Sequence, residues 1–147
     1  MKKIIEKPHI FFFILIPVVI VLGQFNQEQF IAMDISFVQN NIYYDKITYF
    51  FALFFGLVGL NYFSIYWGNK KPNTWMTVLH ILFQVLALLL FFTKDHWNWL
   101  HSLAPSTEQY VTIDNTNTML ILSLLLFMFA AFIHLINFFV TLISKPK

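Results

Sequence analysis

Cysteine and arginine are both absent from this 147-residue chain, and glycine is scarce, with four residues. Without cysteine there is no disulfide, thiolate metal site, iron–sulfur cluster or lipoprotein acylation site. A metal or haem would therefore have to bind to the five histidines, the carboxylates or methionine. Charged residues are also few, at 11% of the chain compared with about 25% in a soluble domain. A chain of this composition has too little polar surface to cover a soluble fold.

Enzyme motifs are absent as well. The chain has no G-x-S-x-G, no H-E-x-x-H and no P-loop, and no carboxylate lies inside its long apolar runs. No internal repeat of the kind found in transporters is present. The nine lysines form no continuous basic patch, so nucleic acid is not an expected partner. These absences favour a protein that is not an enzyme, with no metal site and no required cofactor.

What the chain does contain is long apolar sequence, since 59% of its residues are hydrophobic and 20% are aromatic. The longest run, Thr118 to Ile143, has no charged residue. A helix needs about 20 apolar residues to cross the hydrocarbon core of a bilayer, so this run predicts a transmembrane helix. Three more apolar runs predict an all-α membrane protein, a four-helix transmembrane bundle that forms one domain over residues 1–147. The predicted helices cover about 8–25, 47–67, 74–93 and 118–143.

Lysine placement predicts the orientation of these helices. Four spans put both termini and the 68–73 turn on one side, and this side carries seven of the nine lysines. The positive-inside rule then makes both termini cytoplasmic and the two longer connections extracytoplasmic. Six of the seven acidic residues fall on the extracytoplasmic side. The expected location is the bacterial inner (cytoplasmic) membrane, with the lipid bilayer as an obligatory partner.

The first helix has a competing interpretation. Lys2 and Lys3, followed by apolar residues 10–22, also match the outline of a signal peptide. No A-x-A-like cleavage site follows, because the sequence there is Val21-Leu22-Gly23-Gln24. We therefore expect a retained anchor, kinked at Pro17.

The two polar connections, residues 24–46 and 94–117, are predicted to lie on the same side of the membrane. Alternation of residue types over Ile31 to Val38 predicts a short strand, and Tyr110 to Asp114 is a second candidate that could pair with it. In the second connection, Trp97 and Trp99 are typical of the interfacial aromatic belt. His96 and His101 beside them lack metal-ligand spacing and are expected to be solvated.

The second predicted helix carries small and polar residues in separate groups. Ala52, Gly56 and Gly59 form a small-residue stripe that lets another backbone approach closely, which predicts helix packing. Asn61 and Ser64 form a polar spot inside the membrane. Two interpretations of the spot stay open: helix packing or part of a substrate path.

Helices three and four each carry a histidine within the apolar run. Thr77, His80, Gln84 and Ala87 share one face of helix three, and the matching side of helix four is Ser123, Ala130, His134, Asn137 and Thr141. His80 lies about 9 Å along its helix and His134 about 14 Å from the end of its own, in the same leaflet, so the two could face each other. Such a pair could hold a b-type haem, or with Gln84 and Asn137 form a proton or quinone site. The alternative is that both imidazoles hydrogen-bond between helices and stabilise the bundle.

The first half of the chain resembles a piece of the haem–copper oxidase large subunit. More closely it resembles small four-helix bacterial membrane proteins with a D-I-x-x-H-D-T-Y-Y motif before a helix. The segments that carry the resemblance are Glu6-Lys7-Pro8-His9, Ile16-Pro17, Asp34-Ile35 to Tyr43-Tyr44, and Phe51 to Trp67. This chain has Asn40-Asn41-Ile42 where the motif has His-Asp-Thr, and residues 47–67 contain no metal-ligand histidine. The resemblance implies an accessory or vestigial membrane protein rather than a catalyst.

Together these observations predict a small non-enzymatic accessory subunit that packs through Gly56 and Gly59 against a larger membrane complex. A respiratory complex is the candidate partner, and a homo-oligomer of this chain is the other possibility. Two alternatives are a haem b or quinone-linked electron-transfer protein that uses His80 and His134, and an oligomeric small-molecule transporter that depends on Asn61 or His134.

Overall fold

The computed structural model describes residues 6–25, 30–35, 38–97 and 115–144. Their elements are helix α1 (Pro8–Phe25), strands β1 (Phe30–Ile35) and β2 (Val38–Tyr43), helix α2 (Tyr44–Trp67), helix α3 (Thr74–Thr93), a 3₁₀ turn (Lys94–His96) and helix α4 (Asn115–Ile143). All four α-helices contain an uncharged or nearly uncharged stretch long and apolar enough to cross a membrane. The prediction of four such helices is confirmed. α1 and α3 have the predicted bounds, while α2 and α4 begin three residues earlier than expected.

The chain forms two compact units, residues 1–72 with 141–147 and residues 73–140. In the first unit α1 and α2 are antiparallel, because His9 contacts Tyr66 at one end and Gly23 meets Thr48 at the other. α1 continues through Pro17 to Phe25. Its core against α2 is aromatic: the Phe12 ring stacks on Tyr62 with centroids 5.7 Å apart, and both side chains are buried.

The first connection contains a β-hairpin. β1 pairs with β2 in antiparallel register, from Phe30 opposite Tyr43 to Ile35 opposite Val38. The predicted strand at Ile31 to Val38 therefore exists in shortened form, but its partner is the next segment of the chain. Two residues separate the strands, and so short a loop has little closure entropy to overcome. The candidate partner at Tyr110 to Asp114 lies outside the described residues.

Helix caps mark the end of α2 and the start of α3. α2 ends in a Schellman motif, in which the Lys70 amide donates to the Ile65 carbonyl and the Asn69 amide to the Tyr66 carbonyl. Asn69 has φ 53°, the left-handed conformation that this motif requires and that asparagine tolerates better than most residues. α3 then begins at Asn73, whose side chain accepts hydrogen bonds from the backbone amides of Trp75 and Met76.

Large apolar side chains point away from the protein on all four α-helices. They include Ile14 on α1, Leu53 on α2, Leu89 on α3 and Leu125 on α4, each more than half exposed. Contiguous exposed apolar surface on this scale would cause aggregation in water but suits a lipid environment.

Candidate functional site

The polar side chains of the second unit line one face of α3 and one face of α4. We define the polar seam as Asn73, Thr77, His80 and Gln84 together with Ser123, His134 and Asn137. Residues 73, 77, 80, 84 and 87 alternate in steps of four and three, which is the spacing of a helix–helix seam. Thr77, His80, Gln84 and Ala87 are all buried, as are the matching residues of α4. The predicted buried faces of helices three and four are confirmed.

Asn137 closes one end of the polar seam. Its Oδ1 accepts from the backbone amide of Asn73 at 2.9 Å, and its Nδ2 donates to Thr77 Oγ1 at 3.0 Å. The Thr77 hydroxyl in turn donates to the Asn73 carbonyl at 2.9 Å. One side-chain amide on α4 thus satisfies the backbone amide of Asn73 at the start of α3, which no helical bond can satisfy. The arrangement holds the first turn of α3 against α4.

Ser123 marks the other end, where its hydroxyl donates to the Ala87 carbonyl at 2.8 Å. Asn73 faces Asn137 and Ala87 faces Ser123, so α3 and α4 run antiparallel along the polar seam. This register, together with the contact between His80 and His134, places residues 126–130 of α4 at the level of Gln84.

The two histidines meet between these ends. The His80 and His134 rings lie 4.8 Å apart, centroid to centroid, with their planes 29° apart. Both side chains are buried. The prediction that they face each other is confirmed, and the contact joins the two ring faces.

This geometry does not fit a haem held between the two imidazoles. Axial ligation requires a ring nitrogen of each histidine to point at the iron, with the macrocycle between the rings. A flat macrocycle needs about 3.5 Å of contact distance on each side, which a 4.8 Å stack does not provide. The nitrogen lone pairs also lie in the ring planes and do not converge on a point between stacked faces. Among the described residues, no group of three or more histidines and carboxylates could hold a metal ion.

Gln84 contributes a buried side-chain amide to the polar seam. Its side chain is fully buried, one helical turn from His80 on the same face. Neither its Nε2 nor its Oε1 has a hydrogen-bond partner among the described residues. A buried amide in this state is costly, so Gln84 is the position in the second unit where a bound molecule would be most strongly favoured.

The small-residue stripe of α2 lies against α1 of the same chain. A methyl group on Gly59 would lie 2.7 Å from the Phe13 ring of α1, and one on Gly56 would lie 3.8 Å from Ile16. Ala52 on the same helix is buried. These two glycines therefore face α1 of the same chain, while packing against a larger partner stays a prediction.

The polar spot on α2 has a hydrogen bond within its own helix. The Ser64 hydroxyl donates to the Asn61 carbonyl at 2.8 Å, within its own helix. Ser64 is exposed and Asn61 half-buried. This bond satisfies a hydroxyl locally, as serine often does in transmembrane helices.

Two further residues with basic side chains, His9 and Lys94, are buried, and the sequence analysis did not single them out as candidate functional residues. His9 is 8% exposed, with its ring 5.1 Å from Tyr66 and 5.7 Å from Phe63, and Lys7 Nζ lies 5.5 Å above the Tyr66 ring. Lys94 is buried and pairs with the half-exposed carboxylate of Asp95 at 2.7 Å. For His9, the sequence signal was the pair of aromatic residues near the end of α2, Phe63 and Tyr66, which an antiparallel α1 brings next to its own start. For Lys94, it was continuation of the seam spacing from position 87 through 91 to 94.

His96 is exposed in the 3₁₀ turn, and the Trp97 indole donates to Thr93 Oγ1 at 2.9 Å. Trp99 and His101 lie outside the described residues. In comparisons with protein families, with characterised proteins and with solved structures, nothing matches this chain. The site must therefore be interpreted from its own geometry.

Proposed function

We propose that this chain is a small non-enzymatic subunit of the bacterial cytoplasmic membrane, accessory to a larger membrane complex. The observation that carries the proposal is the use of intramembrane polar groups. Side-chain hydrogen bonds join α3 to α4. The Asn137 side chain bonds the Asn73 amide and the Thr77 hydroxyl, and the Ser123 hydroxyl bonds the Ala87 carbonyl. Hydrogen bonds of this kind hold transmembrane helices together.

The remaining polar residues give little support to haem binding or to transport. His80 and His134 stack on each other, and the fit to an axial haem pair is poor. Ser64 bonds within its own helix, which removes support for a transport path along α2. The haem-linked and transport alternatives therefore have less support than the accessory role.

The resemblance of the first half to small four-helix relatives of the oxidase large subunit makes a respiratory complex the first candidate for the partner. Since α1 covers Gly56 and Gly59, a partner would pack on another surface. Exposed apolar side chains on all four helices offer such surface, either to a different protein or to a second copy of this chain.

Copurification tests the accessory role. A tagged chain extracted from its native membranes in mild detergent should bring down a larger membrane protein in fixed stoichiometry, and the association should be lost in a harsh detergent. Isolation of the chain alone, or as a homo-oligomer only, would contradict the proposal.

Orientation can be tested separately, because the chain has no cysteine to give background labelling. We propose that Lys71 and Ser144 face the cytoplasm and that His96 faces outward, as the lysine distribution favours. All three are exposed positions. A membrane-impermeant maleimide added to spheroplasts should label the variant His96→Cys and leave Lys71→Cys and Ser144→Cys unlabelled until lysis. The apolar, exposed Leu125 gives the matched control, since Leu125→Cys should stay unlabelled in both conditions.

A further inference from the structure

The amide of Gln84 needs an explanation that the accessory role does not supply. Both of its polar atoms are buried and have no hydrogen-bond partner among the described residues. Gln84 lies about 15 Å along α3 from Thr74, which is half of the roughly 30 Å hydrocarbon thickness. At that depth, a donor and an acceptor with nothing to bind would be strongly unfavourable, so a bound molecule is the expected remedy.

The surroundings of Gln84 select the kind of molecule. The site is neutral and offers one acceptor and two donors, which suits a small molecule that both donates and accepts hydrogen bonds. Ala87 follows one turn along α3, and the register of α3 and α4 brings Ala130 opposite; both are buried and have small side chains. Water fits this description best, because it needs little volume and two or more polar partners.

We propose that the Gln84 amide binds one or two water molecules between α3 and α4, beside the His80–His134 stack. Water bound there would lie close enough to the two stacked imidazoles to exchange protons with them. The inference concerns the polar seam alone and holds whether or not the chain has a larger partner.

The seam also indicates from which end water enters. Between Gln84 and residue 73 the buried face of α3 carries His80 and Thr77, and Asn73 at its end is exposed. Toward the other end, the Ser123 hydroxyl is already bonded to the Ala87 carbonyl, and Phe91 of α3 and Met119 of α4 are buried and apolar. Exchange with bulk water is therefore expected through the Asn73 end.

Solid-state NMR in lipid bilayers tests this proposal on the full-length chain. Magnetisation transferred from water should reach the Gln84 side-chain nitrogen at least as fast as it reaches the Asn137 side-chain nitrogen, which is buried but hydrogen-bonded to Thr77. Transfer to Gln84 that is no faster than to the lipid-facing Leu135 backbone would overturn the proposal. Transfer to Gln84 from lipid or another bound organic molecule instead of water would overturn it as well.

A variant pair sharpens the test. Gln84→Leu removes the amide at similar volume, and transfer from water to the His80 and His134 ring nitrogens should fall at least several-fold. Leu86→Ala, at a half-exposed position on the same helix, should leave that transfer unchanged. Unaltered transfer to the rings in a folded Gln84→Leu protein would overturn the role of Gln84, and Gln84→Met provides the same test if the leucine variant does not fold.

Discussion

The three glycines of the α1–α2 contact should respond differently to the same added methyl group. A β-carbon on Gly23 would lie 2.7 Å from Thr48 Cβ, with the Thr48 hydroxyl closer still. Thr48 cannot move aside easily, since it is buried and its hydroxyl bonds the Asp45 carbonyl at 2.8 Å. At Gly56 the nearest atom is 3.8 Å away, which is ordinary contact.

These distances translate into free energies of opposite sign. Overpacking a buried contact destabilises by about 1–3 kcal/mol, while alanine is better than glycine in a helix by about 0.5–1 kcal/mol. Gly23→Ala should therefore lower the free energy of unfolding by about 1–2 kcal/mol, and Gly56→Ala should raise it by about 0.5–1 kcal/mol. Gly59→Ala should fall between them, because its neighbour is the Phe13 ring, which can turn.

The assay must report separation of the helices, since transmembrane helices keep their secondary structure when they come apart. Dyes on cysteines introduced at Phe25 and Lys46, exposed residues near adjoining ends of α1 and α2, would report that separation by energy transfer during unfolding in mixed micelles. Equal stability of Gly23→Ala and the wild type would refute the close approach to Thr48. Equal destabilisation by Gly23→Ala and Gly56→Ala would show that sterics at Thr48 are not the cause.

Three further outcomes are expected. Asn137→Ala removes two good hydrogen bonds to the start of α3 and should destabilise the protein by about 1–3 kcal/mol in the same micelle titration, a result that a change below about 0.3 kcal/mol would contradict. Asn69→Ala should lower the free energy of unfolding by about 1 kcal/mol, because the β-carbon of alanine disfavours the left-handed conformation at φ 53° and alanine lacks the local hydrogen bonding of asparagine. Asn69→Gly should not lower it, because glycine has no β-carbon. Visible absorption of the purified protein, oxidised and then reduced, should show no Soret band that depends on His80 or His134; a band abolished by His80→Ala would require the stacked pair to open and would restore the electron-transfer alternative.

Hydrophobic length and side-chain periodicity were enough to predict the helices and their buried faces. The bounds of α1 and α3 agree because each begins at a clear signal, Pro8 at the first turn of α1 and Asn73 as the cap of α3. The contact between His80 and His134 was also accessible, since two polar residues at similar depth have strong reason to meet in a bilayer.

Pairing between distant segments was harder to predict. The alternation in residues 31–38 indicates a strand but contains no information about its partner, and β1 pairs with the adjacent segment, which a short connection favours. The glycines of α2 indicated close packing without saying against what. A small residue admits any neighbour, and the nearest helix in the chain supplies Phe13 and Ile16.

The two helix pairs use different chemistry to pack, and this difference bears on where the protein can act. α1 and α2 meet through glycines and aromatic rings, which pack well in any apolar surroundings. The contact between these two helices also includes the buried imidazole of His9. α3 and α4 meet through amides, hydroxyls and imidazoles at the positions that a seam normally fills with leucine. If helix association were the only requirement, apolar residues at positions 80 and 84 would serve it at least as well, because a typical hydrogen bond between transmembrane helices contributes only about 0.6 kcal/mol. The buried Gln84 amide, which has no hydrogen-bond partner in the part of the chain that the structure describes, adds a penalty that such a contact does not offset. Asn137 and Ser123 are explained by the helix contacts they make, whereas Gln84 is better explained by something it binds, and it is the residue at which that explanation can be tested.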